Sequence, residues 1–254
     1  MLASRVRRIC GVRHEGEPEG KYETIGGVAC YVATPKGDYA KDKVVLFLPD
    51  VFGIPLVNNR LLTDDFALNG FKTICVDLFD GAPMPEAAIT GGPGVPGFSK
   101  EEWMKTNDPA LRLHFSEKVI AALKAEGVTR FGTTGYCYGA RHVFDLAFAG
   151  LTHVSVVAHP SRLQSPADLQ KYFDVAKAPL LINSCTVDRV FPEEAQIKAD
   201  EILGGGKFAP GYKRAHWEGC THGFAVRGDM SDPKVKAGKE GAFKESVEWF
   251  KKYL

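Results

Sequence analysis

The apolar positions along the chain fall into two alternating patterns: short continuous runs, and longer stripes with helical spacing. Short apolar runs bounded by turn residues are typical of strands that are buried on both faces of a sheet. These runs predict strands at residues 27–33, 43–48, 71–78, 130–133, 154–158, 179–184 and 212–217. The stripes between them predict helices at residues 57–68, 109–124, 140–149, 167–173, 193–203 and 232–253.

This alternation of strand and helix predicts an α/β protein whose central sheet is mostly parallel, with helices on both faces. A chain of 254 residues is long enough for one such domain with a sizeable core, although its length also allows two small domains. Because the sequence shows no internal repeat and no boundary, we expect a single domain over residues 1–254. Residues 1–24 are polar, and we expect residues 1–20 at least to form a surface arm.

One connection, residues 80–100, is rich in glycine and proline and is too long for a plain turn. Long loops in compact domains are often lids or binding loops, because such functions need backbone that is free of the sheet. The other interpretation is a mobile insertion without a function. The sequence leaves both interpretations open.

The charge balance and the cysteines argue against several classes of function. Lys and Arg total 32 against 31 for Asp and Glu, so the net charge of +1 indicates neither a nucleic acid nor a membrane surface as partner. The six cysteines lack metal-ligand spacing, which favours reduced thiols and predicts no metal or other cofactor. Residues 1–10 lack the apolar run of a signal peptide and no segment could span a membrane, so we expect a cytoplasmic protein. A mitochondrial address, from Arg5, Arg7 and Arg8, is the alternative.

The segment Thr134-Gly-Tyr-Cys-Tyr-Gly-Ala140 carries the strongest indication of chemistry. A G-x-C-x-G between a predicted strand and a predicted helix is the pattern of a nucleophile elbow, with cysteine where serine usually stands. Side chains at Gly135 and Gly139 would collide with the neighbouring strand and helix. The start of the following helix would favour the thiolate of Cys137 over its thiol. The alternative is an ordinary glycine-rich turn with a buried cysteine.

A cysteine nucleophile needs a base and a group that orients this base. In hydrolases with such an elbow, an acid and then a histidine follow the nucleophile, on loops after later strands. Asp188 comes just past one apolar strand, and His222 lies in the loop after the last one. His216 falls inside a predicted strand, from which its ring could hardly reach the elbow. Asp188 could instead be a capping or solvated carboxylate, and His222 a histidine without a role as base.

Four segments together resemble the dienelactone hydrolase family: Gly135-Tyr-Cys-Tyr-Gly139, the Asp188 loop, His222-Gly-Phe224 and Pro49-Asp-Val-Phe-Gly53. The resemblance covers nearly the whole chain. It implies an α/β-hydrolase fold without a separate cap domain and a Cys-His-Asp triad that acts on esters or lactones. In that triad Cys137 is the nucleophile, His222 the base and Asp188 its orienting acid.

The resemblance also implies the roles of residues around the triad. The backbone N–H groups of Val51 and Tyr138 would form an oxyanion hole. Bacterial members carry a glutamate that contacts the resting thiol, and the matching residue here is Asp50, to which we assign thiol activation. We expect His159, which ends the strand after the elbow helix, and Tyr136, beside the nucleophile, to contribute to substrate binding.

Bacterial members also bind the substrate carboxylate with arginines. Arg227 is the nearest match to one of them, one residue later than expected, and it could equally be a surface ion-pair residue. Arg112 is a guess for the second. The His-Pro pair at residues 159–160 and the Arg-Gly-Asp run at residues 227–229 look more like the fungal branch of the family.

The function implied by the resemblance is hydrolysis of a small-molecule ester or lactone through a thioacyl-enzyme intermediate. One alternative is a biosynthetic thioesterase, lyase or cyclase on the same scaffold. Another is a redox- or electrophile-sensing thiol protein, in which Cys137 is oxidised rather than acylated. The sequence leaves open whether the protein is a monomer or a homodimer.

Overall fold

An eight-stranded sheet runs through the computed structural model, which describes residues 9–89 and 95–254. Its strands are β1 (Lys21–Ile25), β2 (Val28–Ala33), β3 (Lys43–Leu48), β4 (Thr73–Val76), β5 (Arg130–Tyr136), β6 (Val154–Ala158), β7 (Leu180–Val187) and β8 (Tyr212–Thr221). They lie in the order β1-β2-β4-β3-β5-β6-β7-β8. All pairs from β4 to β8 are parallel, whereas β2 pairs antiparallel with both β1 and β4. The predicted mostly parallel sheet is confirmed.

Helices cover both faces of this sheet. In the described part of the chain they are α1 (Val57–Leu68), α2 (Lys100–Thr106), α3 (Pro109–Ala125), α4 (Gly139–Phe148), α5 (Ala167–Val175), α6 (Glu193–Leu203) and α7 (Pro233–Tyr253). A Cβ atom added to Gly132 of β5 would lie 2.7 Å from the ring of Phe250 in α7, and one added to Gly135 would lie 2.6 Å from Val143 in α4. Because Gly132 and Gly135 are an odd number of positions apart, α7 and α4 lie on opposite faces.

Aromatic rings from α1 and α7 fill the core on one side of the sheet. The ring of Phe66 in α1 lies 4.9 Å from that of Phe243 and 5.9 Å from that of Phe250, centroid to centroid. All three rings are buried, and β3 is likewise inaccessible to solvent from Val45 to Leu48. The described residues therefore share one core in a single α/β domain, without a separate cap domain among them.

The six predicted helices are present, with ends that differ from the predicted ones by at most two residues. The predicted strands are present as well, but several of them have different lengths. β5 continues to Tyr136 and β7 to Val187, beyond their predicted ends at residues 133 and 184. β4 is shorter than the predicted strand at residues 71–78, and β8 continues to Thr221 beyond the predicted end at residue 217. This extension of β8 is exposed at most positions, so no apolar run in the sequence indicates it.

Residues 21–24, predicted only as polar chain, belong to the edge strand β1. β1 forms a hairpin with β2 through Gly26 and Gly27, whose φ angles are +60° and +78°. Positive φ at both central residues matches the twist of the flanking strands, and glycine adopts it without strain. The prediction failed here because Ile25 is the one buried residue of β1.

The described part of the predicted arm is attached to α1. The backbone N–H of Arg13 donates to Asp65 at 2.8 Å, and its Nε donates to the same carboxylate at 2.7 Å. The N–H of Glu19 donates to Asp64 at 2.7 Å. Residues 9–20 therefore lie along the surface of the domain, and residues 1–8 lie outside the described residues.

The predicted long connection ends in a helix that the sequence analysis missed. The hydroxyl of Ser99 caps α2 by accepting a hydrogen bond from the N–H of Glu102 at 3.2 Å. Trp103, the one buried residue of α2, donates its indole N–H to the carbonyl of Ala82 at 2.9 Å. A single buried residue gives no periodic stripe, which explains the omission. Residues 90–94 of this connection lie outside the described residues.

We expect Phe66→Ala to lower the free energy of unfolding by about 3–5 kcal/mol, because it opens a cavity between α1 and α7. Urea titration followed by circular dichroism measures the change. Leu111→Ala is the control: Leu111 is 61% exposed, so its truncation should cost under about 0.5 kcal/mol. Equal losses from both variants would contradict this account of the core.

Candidate active site

The predicted elbow is a sharp turn between β5 and α4. β5 ends at Tyr136 and α4 begins at Gly139, so Cys137 and Tyr138 alone make the turn. Cys137 has a φ of +48°, a backbone conformation that residues other than glycine rarely adopt. The turn places its sulfur at the N-terminus of α4, where unpaired N–H groups and the helix dipole favour an anion.

Close backbone packing explains both glycines of the elbow. A Cβ atom on Gly139 would lie 2.0 Å from the carbonyl oxygen of Leu48, at the end of β3. A Cβ atom on Gly135 would lie 2.6 Å from the carbonyl oxygen of Gly139. The predicted need for glycine at both positions is confirmed. The same packing sets the loop after β3, which carries Val51, directly against the elbow.

Asp188 and His222 meet at the same edge of the sheet. Asp188 is the first residue after β7, and His222 is the first after β8. Nδ1 of His222 donates to Oδ2 of Asp188 at 2.8 Å. Oδ1 of Asp188 accepts from the N–H groups of Val190 and Phe191 at 2.9 and 3.0 Å. These bonds fix the carboxylate, whose side chain is 1% exposed.

The ring of His222 also interacts with the side chain of Cys137. Since Nδ1 is bonded to Asp188, Nε2 is the nitrogen available to the sulfur. Burial by itself would lower the pKa of His222, but its hydrogen bonds to Asp188 and Cys137 raise the pKa to about 10. These contacts favour the charged imidazolium over the neutral ring. Asp188, His222 and Cys137 form one connected row.

A fourth side chain, Ser161, reaches the sulfur of Cys137. Its Oγ lies 3.6 Å from Sγ, within hydrogen-bonding distance for sulfur. Ser161 is 8% exposed and lies in the loop after β6. Ser161 was not predicted: the preceding His-Pro pair marked this loop, but nothing in the sequence indicated that its serine faces the elbow.

Asp50, which was predicted to activate the thiol, is fully buried and bonded to other groups. Its Oδ1 accepts from the N–H of Phe52 at 3.2 Å and from Nδ2 of Asn59 at 3.0 Å. Its Oδ2 accepts from Nε of Arg227 at 3.1 Å. Burial raises the pKa of Asp50, and the charge of Arg227 opposes that effect. Across the described residues, Cys137 is not among the hydrogen-bond partners of Asp50.

Arg227 is held from two sides. Besides its bond to Asp50, its guanidinium carbon lies 4.6 Å from the ring centroid of Phe52, a cation–π contact. The side chain remains 31% exposed, so the guanidinium is not fully covered. Arg227 is therefore an ion-pair residue with an accessible face. The ion pair is one of the two roles predicted for Arg227, and the contact with a substrate carboxylate stays a prediction.

His159, which was predicted to line the pocket, is 0% exposed. Its ring packs edge to face against that of His222, with centroids 5.0 Å apart. Neither ring nitrogen has a hydrogen-bond partner among the described residues. Burial lowers the pKa of His159 well below its usual value, so the ring is neutral. His159 thus packs against His222 inside the protein. Its burial gives no support to the predicted contact with substrate.

The remaining predicted residues, Tyr136, Arg112 and His216, contact other groups. The ring of Tyr136 is buried and stacks on Phe47 with centroids 4.7 Å apart, which makes it part of the core and does not support the predicted substrate contact. Arg112 lies over the ring of Phe115 at 5.7 Å, from its guanidinium carbon to the centroid. His216 is on β8, as predicted, and lies 3.2 Å from Oε1 of Gln196.

Aromatic residues outside the predicted site hold Tyr138 in place. The rings of Phe79 and Trp103 lie 5.0 and 6.3 Å from the ring of Tyr138, centroid to centroid. The hydroxyl of Tyr138 donates to the carbonyl of Asn107 at 2.9 Å. These contacts fix the residue whose N–H was predicted for the oxyanion hole. The sequence analysis missed them because Phe79 and Trp103 flank a segment without periodicity.

The described residues contain neither a metal site nor a membrane span. Within them, no group of three or more His, Cys, Asp and Glu side chains is placed to hold a metal ion. No helix of the described ranges is both long enough and apolar enough to cross a membrane.

The fold is that of the α/β hydrolases. A solved structure from Klebsiella pneumoniae subsp. pneumoniae MGH 78578, assigned to the dienelactone hydrolases, matches with a TM-score of 0.71. The match covers 92% of this chain and 99% of that one at 16% sequence identity. At this identity the similarity establishes the shared fold alone.

Sequence comparison gives the family. The model of the dienelactone hydrolase family matches residues 28–254. The hydrolase pyvD of Aspergillus violaceofuscus is 32% identical over 97% of this chain and 95% of its own length. Dienlactone hydrolase 1 of Gibberella moniliformis is 30% identical over 95% of this chain and 90% of its own. The chain belongs to the dienelactone hydrolase family, a family of hydrolases, which confirms the resemblance.

We expect Asp188→Asn to lower the pKa of His222 from about 10 by roughly one to three units, since the imidazolium loses a charged acceptor. An NMR titration of the His222 ring measures this shift. Asp229→Asn is the control, because this exposed carboxylate follows His222 in the chain but bonds to Ser231. An unchanged His222 pKa in folded Asp188→Asn protein would show that Asp188 does not set it.

Proposed function

We propose that this chain hydrolyses an ester or lactone, with Cys137 as nucleophile, His222 as proton carrier and Asp188 as the group that orients His222. The observation that carries the proposal is the connected row from Asp188 through His222 to Cys137. A free thiol has a pKa of about 8.5 and is mostly protonated at neutral pH. A protonated His222 beside the sulfur supports a thiolate that is ready to attack.

In the acylation step, the thiolate attacks the carbonyl carbon and the carbonyl oxygen becomes an oxyanion. The carbon–oxygen bond of the ester then breaks, and the departing alkoxide takes the proton from Nε2 of His222. The product of this step is a thioacyl enzyme. The 2.8 Å bond to Asp188 keeps the imidazole oriented throughout and stabilises its charged form.

The oxyanion would bind to the backbone N–H groups of Val51 and Tyr138. The close approach of Gly139 to Leu48 supports this assignment, because it sets the two loops side by side. Neither N–H group has a backbone acceptor among the described residues, so both are available to a ligand. Donors that are already positioned lower the barrier because they need no reorganisation during the reaction.

Hydrolysis of the thioacyl enzyme completes the cycle. His222, now neutral, takes a proton from water, and the resulting hydroxide attacks the thioester carbon. The thiolate leaves, and the acid product dissociates. Thiolate is itself a good leaving group. The first tetrahedral intermediate of a simple ester therefore tends to expel the thiolate and return to substrate. A lactone with a stabilised leaving group, such as an enol lactone, suits this nucleophile better.

Thiol activation falls mainly to His222 in this scheme. Asp50 was assigned that role from the family glutamate, but both of its oxygens are occupied by Phe52, Asn59 and Arg227. Asp50 would reach the thiol only after Arg227 releases it. We therefore propose that Asp50 first of all holds Arg227, and that a substrate carboxylate bound by Arg227 would free Asp50 to act on the thiol.

The triad is tested by comparing His222→Ala with His216→Ala. We expect Cys137→Ala and His222→Ala to lower kcat/KM for an aryl ester by about a thousandfold or more, because each removes a reacting group. His216→Ala should have little effect, since His216 lies on β8 beside Gln196. Similar losses from both histidine variants, in folded protein, would show that His222 is not the base.

The same proteins separate hydrolysis from thiol sensing. Limiting iodoacetamide should modify Cys137 before the other five cysteines and abolish activity in proportion, as mass mapping can establish. An activated ester should give a burst of one leaving group per enzyme and a thioacyl adduct on Cys137. If Cys137 reacts with iodoacetamide but gives neither a burst nor a thioacyl adduct, the result would favour a thiol sensor and refute the proposed hydrolase activity.

The predicted carboxylate contact of Arg227 is tested by a ratio of two substrates. Arg227→Ala should lower kcat/KM for a carboxylate-bearing lactone by roughly ten- to hundredfold, since a hydrogen bond to a charged group contributes about 1.5–3 kcal/mol. A neutral aryl ester of similar size should be little affected. Arg227→Ala alone would leave the buried carboxylate of Asp50 without its ion-pair partner. The double variant Asp50→Asn/Arg227→Ala is the control, because it removes that charge as well. Equal losses for both substrates in the double variant would contradict the contact.

A further inference from the structure

Ser161 is the one side chain outside the proposed triad whose contact with the sulfur of Cys137 is seen in the described residues. Its Oγ lies 3.6 Å from Sγ. With Ser161 only 8% exposed and Cys137 only 9%, little water can compete for this contact. A hydroxyl can accept from a thiol and can also donate to a thiolate. The contact is therefore available in both protonation states of the nucleophile.

The backbone holds this hydroxyl in place. The N–H of Cys137 donates to the carbonyl of Ala158 at 3.1 Å, and the N–H of Ser161 donates to the carbonyl of Cys137 at 3.0 Å. The segment between these two anchors turns sharply at His159, whose φ is +38°, and Arg162 just beyond has a φ of +63°. The end of β6 and its loop are thus aligned with the nucleophile residue itself, and the position of Ser161 follows from that alignment.

The early loop gives the thiol no comparable partner. The oxygens of Asp50 are taken by Phe52, Asn59 and Arg227, as described above. His222, the proton carrier of the proposed mechanism, is the other side chain beside the sulfur. A thiolate that faces only one cation has further lone pairs to satisfy, and Ser161 Oγ is positioned to donate to one of them.

We infer that Ser161 is a further catalytic residue, which hydrogen-bonds the nucleophile through its hydroxyl. This inference rests on the proposed role of Cys137. In the thiol form of Cys137, Nε2 of His222 is unprotonated and S–H donates to Ser161 Oγ. When the proton passes from Sγ to Nε2 of His222, the O–H of Ser161 rotates and donates to the thiolate. Ser161 keeps its own proton throughout, so the transfer between Cys137 and His222 stays balanced.

The inference predicts a specific change in the nucleophile. Removing a donor from a charged acceptor disfavours the charged form. Ser161→Ala should therefore raise the pH midpoint of thiolate formation at Cys137 by about one unit, a tenfold change in proton affinity. At pH values below this midpoint, where the thiolate is the minor form, kcat/KM for an aryl ester should fall by roughly tenfold. The backbone N–H of residue 161 is unaffected by this substitution, so the variant isolates the hydroxyl.

The test is the rate of iodoacetamide alkylation of Cys137 as a function of pH, followed by mass mapping of its peptide. Ser155→Ala is the matched control, because Ser155 is a fully buried serine of β6, upstream of the same loop. Its midpoint should equal that of the wild type. Ser161→Thr, which restores a hydroxyl, should recover a midpoint near the wild-type value.

Three outcomes would overturn the inference: an unchanged midpoint in Ser161→Ala, an equal shift in Ser155→Ala, or a failure of Ser161→Thr to restore the midpoint. The alkylation profile reports the thiol directly and needs no turnover. A shifted midpoint in a protein whose Cys137→Ala variant retains hydrolysis would therefore reject the proposed function and leave the contact with the thiol intact. The two failures are thus distinguishable.

Discussion

The approach of the elbow to the end of β3 is the constraint on which the site depends. At Gly139 the backbones are so close that an added Cβ would lie 2.0 Å from the carbonyl oxygen of Leu48. The chain can come this near only because the position carries no side chain, and because Cys137 accepts a positive φ. A looser turn would carry the sulfur away from the loop of Val51. It would also break the alignment of Cys137 with residues 158–161.

The parallel strands collect the other groups around this turn. The carboxyl ends of β3, β5, β6, β7 and β8 carry, in that order, the Asp50 loop, Cys137, Ser161, Asp188 and His222. Parallel strands deliver their carboxyl ends to one edge of a sheet, which is where α/β proteins bind ligands. Residues far apart in the chain therefore meet without any long-range element of their own. The polar groups then fix one another, as the bonds of Asp188 to Val190, Phe191 and His222 show.

The features that could be predicted from the sequence have local causes. The elbow is a strand, a turn and a helix within a few residues, and Asp188 and His222 follow apolar strands that are easy to recognise. By contrast, β1 and α2 were missed because each buries a single side chain, which leaves no periodic pattern.

Other contacts of the site could not be predicted from the sequence, for a different reason. The pairing of Asp50 with Arg227 joins residues 177 positions apart, and nothing near either residue in the chain indicates the other. Ser161 is a similar case, because its meeting with Cys137 follows from the registry of β5 with β6. Likewise, His159 and Tyr136 were correctly placed in the chain, but the direction of each ring depends on packing, and both rings turned out to be buried.

The hairpin at the N-terminal edge of the sheet bears on how copies of the protein can associate. An open edge strand offers unpaired N–H and C=O groups to any other strand, which makes it a template for aggregation. β1 is short, and four of its five residues are exposed, including Lys21 and Glu23. Ionic side chains at such an edge would have to lose water if a second sheet were to continue the first. The hairpin thus disfavours extension of the sheet at this edge, and association between copies would have to use another surface.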